Sequence, residues 1–270
     1  MHQPIGPPFS DTLVRRLRQA RRVSVLTGAG ISAESGVPTF RDPDGLWQRF
    51  RPEELANVEA FLANPTLVQG WYAHRRQVVE DVQPNAGHRA LAALERWVTG
   101  RGGEFLLATQ NVDGLHERAG SRNLVELHGS LRRSHCLDCG AAAPPPTAPP
   151  ADADGGADGG GADGGGGVAR CAACGGLVRP DVVWFGEMLP EDALGRATEA
   201  AALADVYLSV GTSAVVYPAA GLPQVARQAG AYVAEVNPTP SDIAWRLDEQ
   251  VRGTAGDVLP ALVERVTGEE

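Results

Sequence analysis

Five short apolar runs, Val23 to Leu26, Phe105 to Ala108, Leu124 to Leu127, Val206 to Val210 and Tyr232 to Val236, each stop at a glycine or a polar residue. Helical spacing of apolar residues fills most of the intervals, as in Ala86 to Val98 and Leu222 to Gln228. Runs of this length without alternation read as buried strands, and strands alternating with helices predict a parallel α/β sheet. Ligands of such sheets collect beyond the carboxyl ends of the strands. The residues that close each run are therefore the first candidates for a site.

Length and composition set the frame. A chain of 270 residues that is 43% hydrophobic and 21% charged can bury one large core and carry a small accessory module. Its net charge of −9 argues against nucleic acid or an anionic membrane as a partner, since both require a basic surface. No apolar run approaches the roughly 20 residues of a membrane span, and the first twenty residues interleave charges with apolar positions, unlike a signal peptide. The expectation is a cytoplasmic protein, and a monomer.

Two segments interrupt the alternation. Leu46 to Val82 is largely helical, and Leu131 to Leu177 contains all four cysteines as Cys136-x-x-Cys139 and Cys171-x-x-Cys174, 31 residues apart. Two equal C-x-x-C pairs, each followed by glycine, supply four soft ligands for one tetrahedral zinc ion. With every position filled by thiolate there is no place for a water, so the metal is expected to be structural; a redox dithiol explains one pair but not two. Between the pairs lies a Pro/Ala and then Gly/Asp run, within 141–168, too poor in apolar side chains to offset its ordering entropy. It reads as an inserted loop without a function of its own.

The polar strand ends hold the chemistry. Gly28-Ala29-Gly30-Ile31-Ser32-Ala33 fits G-x-G-x-x-G/A after a strand, which is either a tight turn or a pyrophosphate cradle. Gly36, Pro38, Pro43 and Gly45 follow in place of a continuous helix and imply a loop able to fold over a ligand, with Phe40 and Arg41 at its centre. Gln110, Asn111 and Asp113 after the second run suit turn and cap chemistry or a ribose and amide site. His128, before Gly129 at a strand end, is placed to act as a neutral-pH base, whereas His116 on a helical pattern reads as structural. Gly211-Thr212-Ser213 and Asn237-Pro238-Thr239 fit phosphate and ribose contacts and equally plain turns.

Taken together, "GAGISAESGVPTFRDPDGLW" (28–47), "TQNVDGLH" (109–116), "ELHGS" (126–130), the cysteine pairs, "VWFGEM" (183–188) and "GTSAVVYPAAGLP" (211–223) strongly resemble the sirtuin family, from about Val23 to Ala255. The resemblance implies an NAD-dependent protein lysine deacylase. Its Rossmann-like NAD domain would comprise 1–44, 86–131 and 179–270, and its small module a helical insertion, 45–85, and a zinc module, 132–178. Position by position it implies that Gly28, Ala29, Gly30, Ser32, Phe40, Arg41 and Trp47 wrap NAD, and that Gln110, Asn111 and Asp113 line the nicotinamide and ribose pocket. Gly211, Thr212, Ser213, Asn237, Pro238, Thr239 and the backbone at Ala255 would hold the phosphates and adenosine. His128 would be the catalytic base, and Val183, Phe185 and Gly186 would belong to a strand-like segment that pairs with the backbone of an acylated-lysine substrate. The implied reaction is attack of the acyl oxygen on C1′ of the nicotinamide ribose, release of nicotinamide, an alkylimidate, and finally O-acyl-ADP-ribose and free lysine.

One residue bears on the acyl group. Trp71, Arg75, Val78, Val79 and Val82 recur at helical spacing, which puts Arg75 in an apolar stripe with no carboxylate at i±3 or i±4, while Arg76, Gln77, Glu80 and Asp81 take the polar side. Its anion is then either a distant core carboxylate or a ligand. Tyr72-x-x-Arg75 resembles the pair that holds the acyl carboxylate in the sirtuin class removing succinyl and malonyl groups, and Ala56 matches the small residue that admits the longer chain. Alternatives are a plain deacetylase, a mono-ADP-ribosyltransferase using the same NAD pocket, and a non-catalytic zinc-ribbon binding module.

Overall fold

The computed structural model describes residues 8–37, 52–147 and 167–268. Phe40, Arg41, Trp47 and most of the Gly/Asp run lie outside them. In chain order the elements are α1 (Asp11–Gln19), β1 (Arg22–Thr27), α2 (Pro52–Leu55), α3 (Val58–Ala63), α4 (Pro65–Asp81), α5 (Ala86–Gly100), β2 (Glu104–Thr109), α6 (Leu115–Arg118), β3 (Leu124–Glu126) and β4 (Gly129–Cys136). There follow β5 (Ala142–Ala143), β6 (Val178–Val182), α7 (Glu191–Leu203), β7 (Val206–Val210), α8 (Leu222–Gln228), β8 (Tyr232–Asn237), β9 (Glu249–Arg252) and α9 (Ala255–Thr267). Among the described residues no helix is long and apolar enough to cross a membrane.

The five apolar runs form five strands of one parallel sheet, ordered β3-β2-β1-β7-β8-β9. Its sixth strand, β9, is the edge strand "EQVR", where Val251 alone is apolar, so no apolar run announces it. One face packs on α1, α5 and α9 through Leu13, Leu17, Leu91, Leu94, Leu259 and Leu262; the other packs on α7 and α8 through Ala197, Ala201, Leu222 and Ala226. Side-chain caps start these helices where the sequence turns polar: Ser10 accepts from Leu13 N, Thr254 from Asp257 N, and Asn85 forms a reciprocal box with His88.

A second sheet, antiparallel and ordered β5-β4-β6, carries the cysteines. It shares a separate core with α3 and α4, built from Leu55, Phe61, Val68, Tyr72, Val79, Leu131, Val182 and Trp184. The orientation of α4 corrects the stripe read from the sequence. Arg76 is buried, not on the polar side, while Trp71, Arg75, Val78 and Val82 form a half-buried flank. The buried face runs through Val68, Gln69, Tyr72, Arg76 and Val79. It includes two polar residues because backbone groups at and beside the cysteine module bond Gln69 fully and Arg76 through Nε and Nη1. Gln69 donates to Ala169 O and Val178 O and accepts from Ala169 N, and Arg76 donates to Leu131 O at 2.7 Å and Pro146 O at 2.7 Å.

Candidate functional site

The carboxyl ends of β1, β2, β7 and β8 converge. Gly28 N donates to Val210 O, Gln110 N to Thr27 O and Gly211 N to Val236 O, each at 3.0 Å. Gly30 N donates to Gly211 O at 2.8 Å, and this crossing has no room for a side chain. A Cβ on Gly30 would stand 2.8 Å from Gly211, and one on Gly211, whose φ is +61°, would stand 2.4 Å from Ile31 N. After Gly28 the chain makes two single 3₁₀ turns, Ala29–Ile31 and Ala33–Ser35, in place of a continuous helix. The result is a backbone cradle of the kind that accommodates a pyrophosphate.

Side chains close around this cradle. Gln110 Nε2 donates to Thr212 Oγ1 at 3.1 Å, and Asn237 Nδ2 to Thr212 O at 3.0 Å. Asn111 Nδ2 donates to Gly28 O and to Ser32 Oγ, and Ser32 Oγ donates to Asp113 Oδ2 at 2.7 Å. Asp113 serves as a cap as well, since its Oδ1 accepts from Leu115 N. Burial raises its pKa against these bonds. Ala255 is buried at the start of α9, Ser213 is half-buried beside the cradle, and Pro238 and Thr239 are exposed after β8. The sequence positions expected at a dinucleotide site that are described here thus stand at one edge of the sheet.

His128 sits in the turn between β3 and β4, with Nδ1 2.9 Å from Gln110 O. A carbonyl only accepts, so Nδ1 carries the hydrogen and Nε2 keeps its lone pair. Burial lowers the pKa of the ring, partly opposed by the Gln110 bond, which keeps it a neutral base at pH 7. Its own carbonyl accepts from Val183 N at 3.0 Å, and Phe185 N donates to Ala56 O at 2.9 Å. β6 has already ended at Val182, so Val183 and Trp184 lie outside the strand and lead into a turn at Phe185 and Gly186, both exposed.

Around Ala56, which is buried, lie Tyr72 and Trp184 of the same core. The Arg75 guanidinium stands 4.8 Å from the Trp71 ring centroid and 5.7 Å from that of Tyr72. Desolvation lowers its pKa, while Tyr72 and Asp113 favour its charged form.

Several buried polar residues lie beneath and beside these groups. The His88 and His116 rings lie 4.8 Å apart, tilted by 59°; His116 Nε2 bonds Thr27 Oγ1 at 2.9 Å, and His88 Nε2 lies 3.4 Å from Ser32 Oγ. Both rings are fully buried beneath the cradle, and their pKa values are depressed by that burial, His88 to about 4. Arg179, Trp184 and Glu187 form a second such group. His88 falls on the inward face of the helical pattern 86–98, and His116 has the structural place its helical pattern suggested; Arg179, Trp184 and Glu187 depend on tertiary pairing.

The four cysteine sulfurs lie within 4.8 Å of one another, with Cys136–Cys174 at 3.4 Å and Cys139–Cys171 at 3.8 Å. Tetrahedral zinc with bonds of about 2.3 Å requires sulfurs about 3.8 Å apart, so the set fits one ion and leaves no open position. Gly140 N and Gly175 N donate to Cys136 O and Cys171 O, and both glycines have positive φ, the tight turns that wrap thiolates around a metal.

A six-stranded parallel sheet with this strand order and a glycine cradle at its carboxyl edge defines a Rossmann-type nucleotide-binding protein, here bearing a four-cysteine module. Residues 28–218 match the profile described as the Sir2 family. The chain is 50% identical over 250 residues to NAD-dependent protein deacylase 2 of Pyrobaculum aerophilum, covering 93% of each. Among solved structures it is similar to a Sir2 homolog–NAD complex, with a TM-score of 0.85 and 45% identity over 99% of this chain and 97% of that one. A Sir2–p53 peptide–NAD+ complex gives a TM-score of 0.77 and 28% identity over 94% and 97%. The chain belongs to the Sir2 family.

Proposed function

We propose that this protein is an NAD-dependent protein lysine deacylase that prefers acyl groups ending in a carboxylate, succinyl and malonyl, and also accepts acetyl. The observation that carries the catalytic reading is the His128–Gln110 bond, which leaves Nε2 as a neutral acceptor next to the polar strand ends. Gly28, Ala29, Gly30, Gly211, Thr212 and Ser213 would seat the pyrophosphate, Asn237, Pro238, Thr239 and Ala255 the adenosine, and Ser32, Gln110, Asn111 and Asp113 the nicotinamide riboside. NAD supplies, when bound, the ribose carbon that accepts the acyl oxygen as nicotinamide leaves.

The chain's own residues do the rest. His128 Nε2 takes a proton from a ribose hydroxyl, and burial of the ring keeps that lone pair available at neutral pH. The turn at Val183, Phe185 and Gly186, joined to His128 and Ala56 by backbone bonds, would hold the substrate backbone beside both. Cys136, Cys139, Cys171 and Cys174 would hold one zinc ion that fixes the small sheet and takes no part in proton transfer.

The acyl preference rests on Tyr72 and Arg75, one helical turn apart, with the small side chain of Ala56 in the same core as Tyr72. A buried phenol and a half-buried guanidinium match a carboxylate better than a methyl group. Nicotinamide release from succinyl-, malonyl-, acetyl- and unmodified-lysine peptides tests the reading. It should require an acyl-lysine, run fastest on the acidic acyl groups, and slow by about 10²–10⁴-fold in steady state in His128→Ala. Release with unmodified peptide would favour ADP-ribosyl transfer instead.

A further inference from the structure

The Tyr72 hydroxyl oxygen receives a 2.8 Å hydrogen bond from Trp184 Nε1. Both side chains are buried, at 1% and 2% exposure. An indole nitrogen donates and never accepts, so the bond has one polarity, with Tyr72 as acceptor. The phenol hydrogen must therefore point away from the indole. Burial also keeps the phenol protonated, its pKa raised to about 12.

Trp184 is itself fixed from several sides. The Arg179 guanidinium lies 3.6 Å from the indole ring centroid, and Phe61 packs with ring centroids 5.2 Å apart. Arg179 forks onto Glu187 at 2.5 and 2.9 Å and also donates to Val182 O. Glu187 returns to the tryptophan backbone, accepting from Trp184 N at 2.8 Å and donating its own N–H to Trp184 O. Stacking above, an aromatic neighbour and a braced backbone restrict this side chain to the rotamer that reaches Tyr72.

We propose that Trp184, braced by Arg179 and Glu187, is a positioning residue for acyl selectivity: its N–H occupies the Tyr72 oxygen and keeps the phenol hydrogen turned toward the acyl carboxylate. The inference rests on the acidic-acyl reading above. A phenol released from the indole could present its oxygen to the carboxylate part of the time, which repels rather than binds it. An acetyl group ends in a methyl and makes no use of that hydrogen. The effect is thus confined to succinyl and malonyl substrates.

A double-mutant cycle tests this on the full chain with NAD, reading the ratio of kcat/KM for succinyl- over acetyl-lysine peptide. Trp184→Phe keeps an aromatic ring against Arg179 but removes the donor. It should lower the ratio about threefold to tenfold, through KM for the succinyl peptide rather than kcat. In a Tyr72→Phe background the same substitution should change the ratio no further, because the oxygen it acts on is gone. An unchanged ratio in Trp184→Phe, or an equal drop in both backgrounds, overturns the proposal. If Trp184→Phe does not fold, benzothienylalanine at position 184 removes only the N–H and serves the same cycle. Arg75→Met separates the two claims: if it leaves the wild-type ratio intact, the acidic-acyl reading has failed, and the role of Trp184 falls with it.

Discussion

His128 Nδ1 lies 2.9 Å from the carbonyl oxygen of Gln110, the residue that follows β2, so one backbone group sets both the tautomer and the aim of the ring. Burial lowers the ring's pKa from 6.5. The base must be neutral to act, so kcat/KM should fall as pH drops through a value below 6.5 and stay level above it until another group titrates. His128→Ala should lose about 10²–10⁴-fold in kcat and the acid limb with it. A pH profile whose acid limb survives that substitution would assign the limb to a different group.

Gly211 faces Gly30 where no Cβ fits. Gly211→Ala places a methyl 2.4 Å from Ile31 N at a φ of +61°, and both the clash and the strain must be relieved by moving the cradle. The expected result is a loss of about 1–3 kcal/mol in thermal stability together with a large rise in KM for NAD. Unaltered NAD affinity, measured by calorimetry, would place the pyrophosphate elsewhere.

The sheet was legible in the sequence because its central strands are buried on both faces and so read as apolar runs. β9 was not, since an edge strand needs only Val251 inside. The glycine turn, the cysteine set and His128 could be picked out as candidates because closely spaced glycines, paired cysteines and a histidine beside a strand-end glycine mark themselves locally. The true inward face of α4 was not legible. Helical periodicity favoured the Trp71–Arg75–Val78 stripe, whereas tertiary hydrogen bonds from Gln69 and Arg76 to the cysteine module turned the neighbouring stripe inward. The Trp184–Tyr72 bond, 112 residues apart in sequence, left no local mark.

Zinc removal should act on stability before chemistry. One zinc per chain is expected by a colorimetric chelator assay on the denatured protein, and Cys171→Ser should reduce that stoichiometry and lower Tm. Because Gln69 and Arg76 fasten α4 to this module, loss of the metal should also loosen the helix that carries Tyr72 and Arg75. Hydrogen exchange across 65–81 would detect it. Full metal loss with unchanged Tm would mean the sulfurs are not a structural site.

The buried His88–His116 pair predicts acid sensitivity. The unfolded chain takes up these protons near pH 6.5, while folded His88 resists until about 4. Folding therefore excludes protons across that window, and the stability these rings allow is fully present above pH 6.5 and lost as pH falls toward 4. Tm measured from pH 7 to pH 4 should decline accordingly, and His88→Asn should flatten the decline. A Tm independent of pH over that range would contradict the burial of two neutral rings.

The central claim is that the Arg75 cation selects an acyl carboxylate. Its most direct measurement compares kcat/KM on succinyl-lysine and acetyl-lysine peptides, with NAD, for the wild type and Arg75→Met. Removing one partner of a desolvated charge pair costs about 2–5 kcal/mol, so succinyl turnover should fall by at least about thirtyfold while acetyl turnover changes little. Equal losses on the two peptides, or a wild type that favours acetyl, would contradict the account.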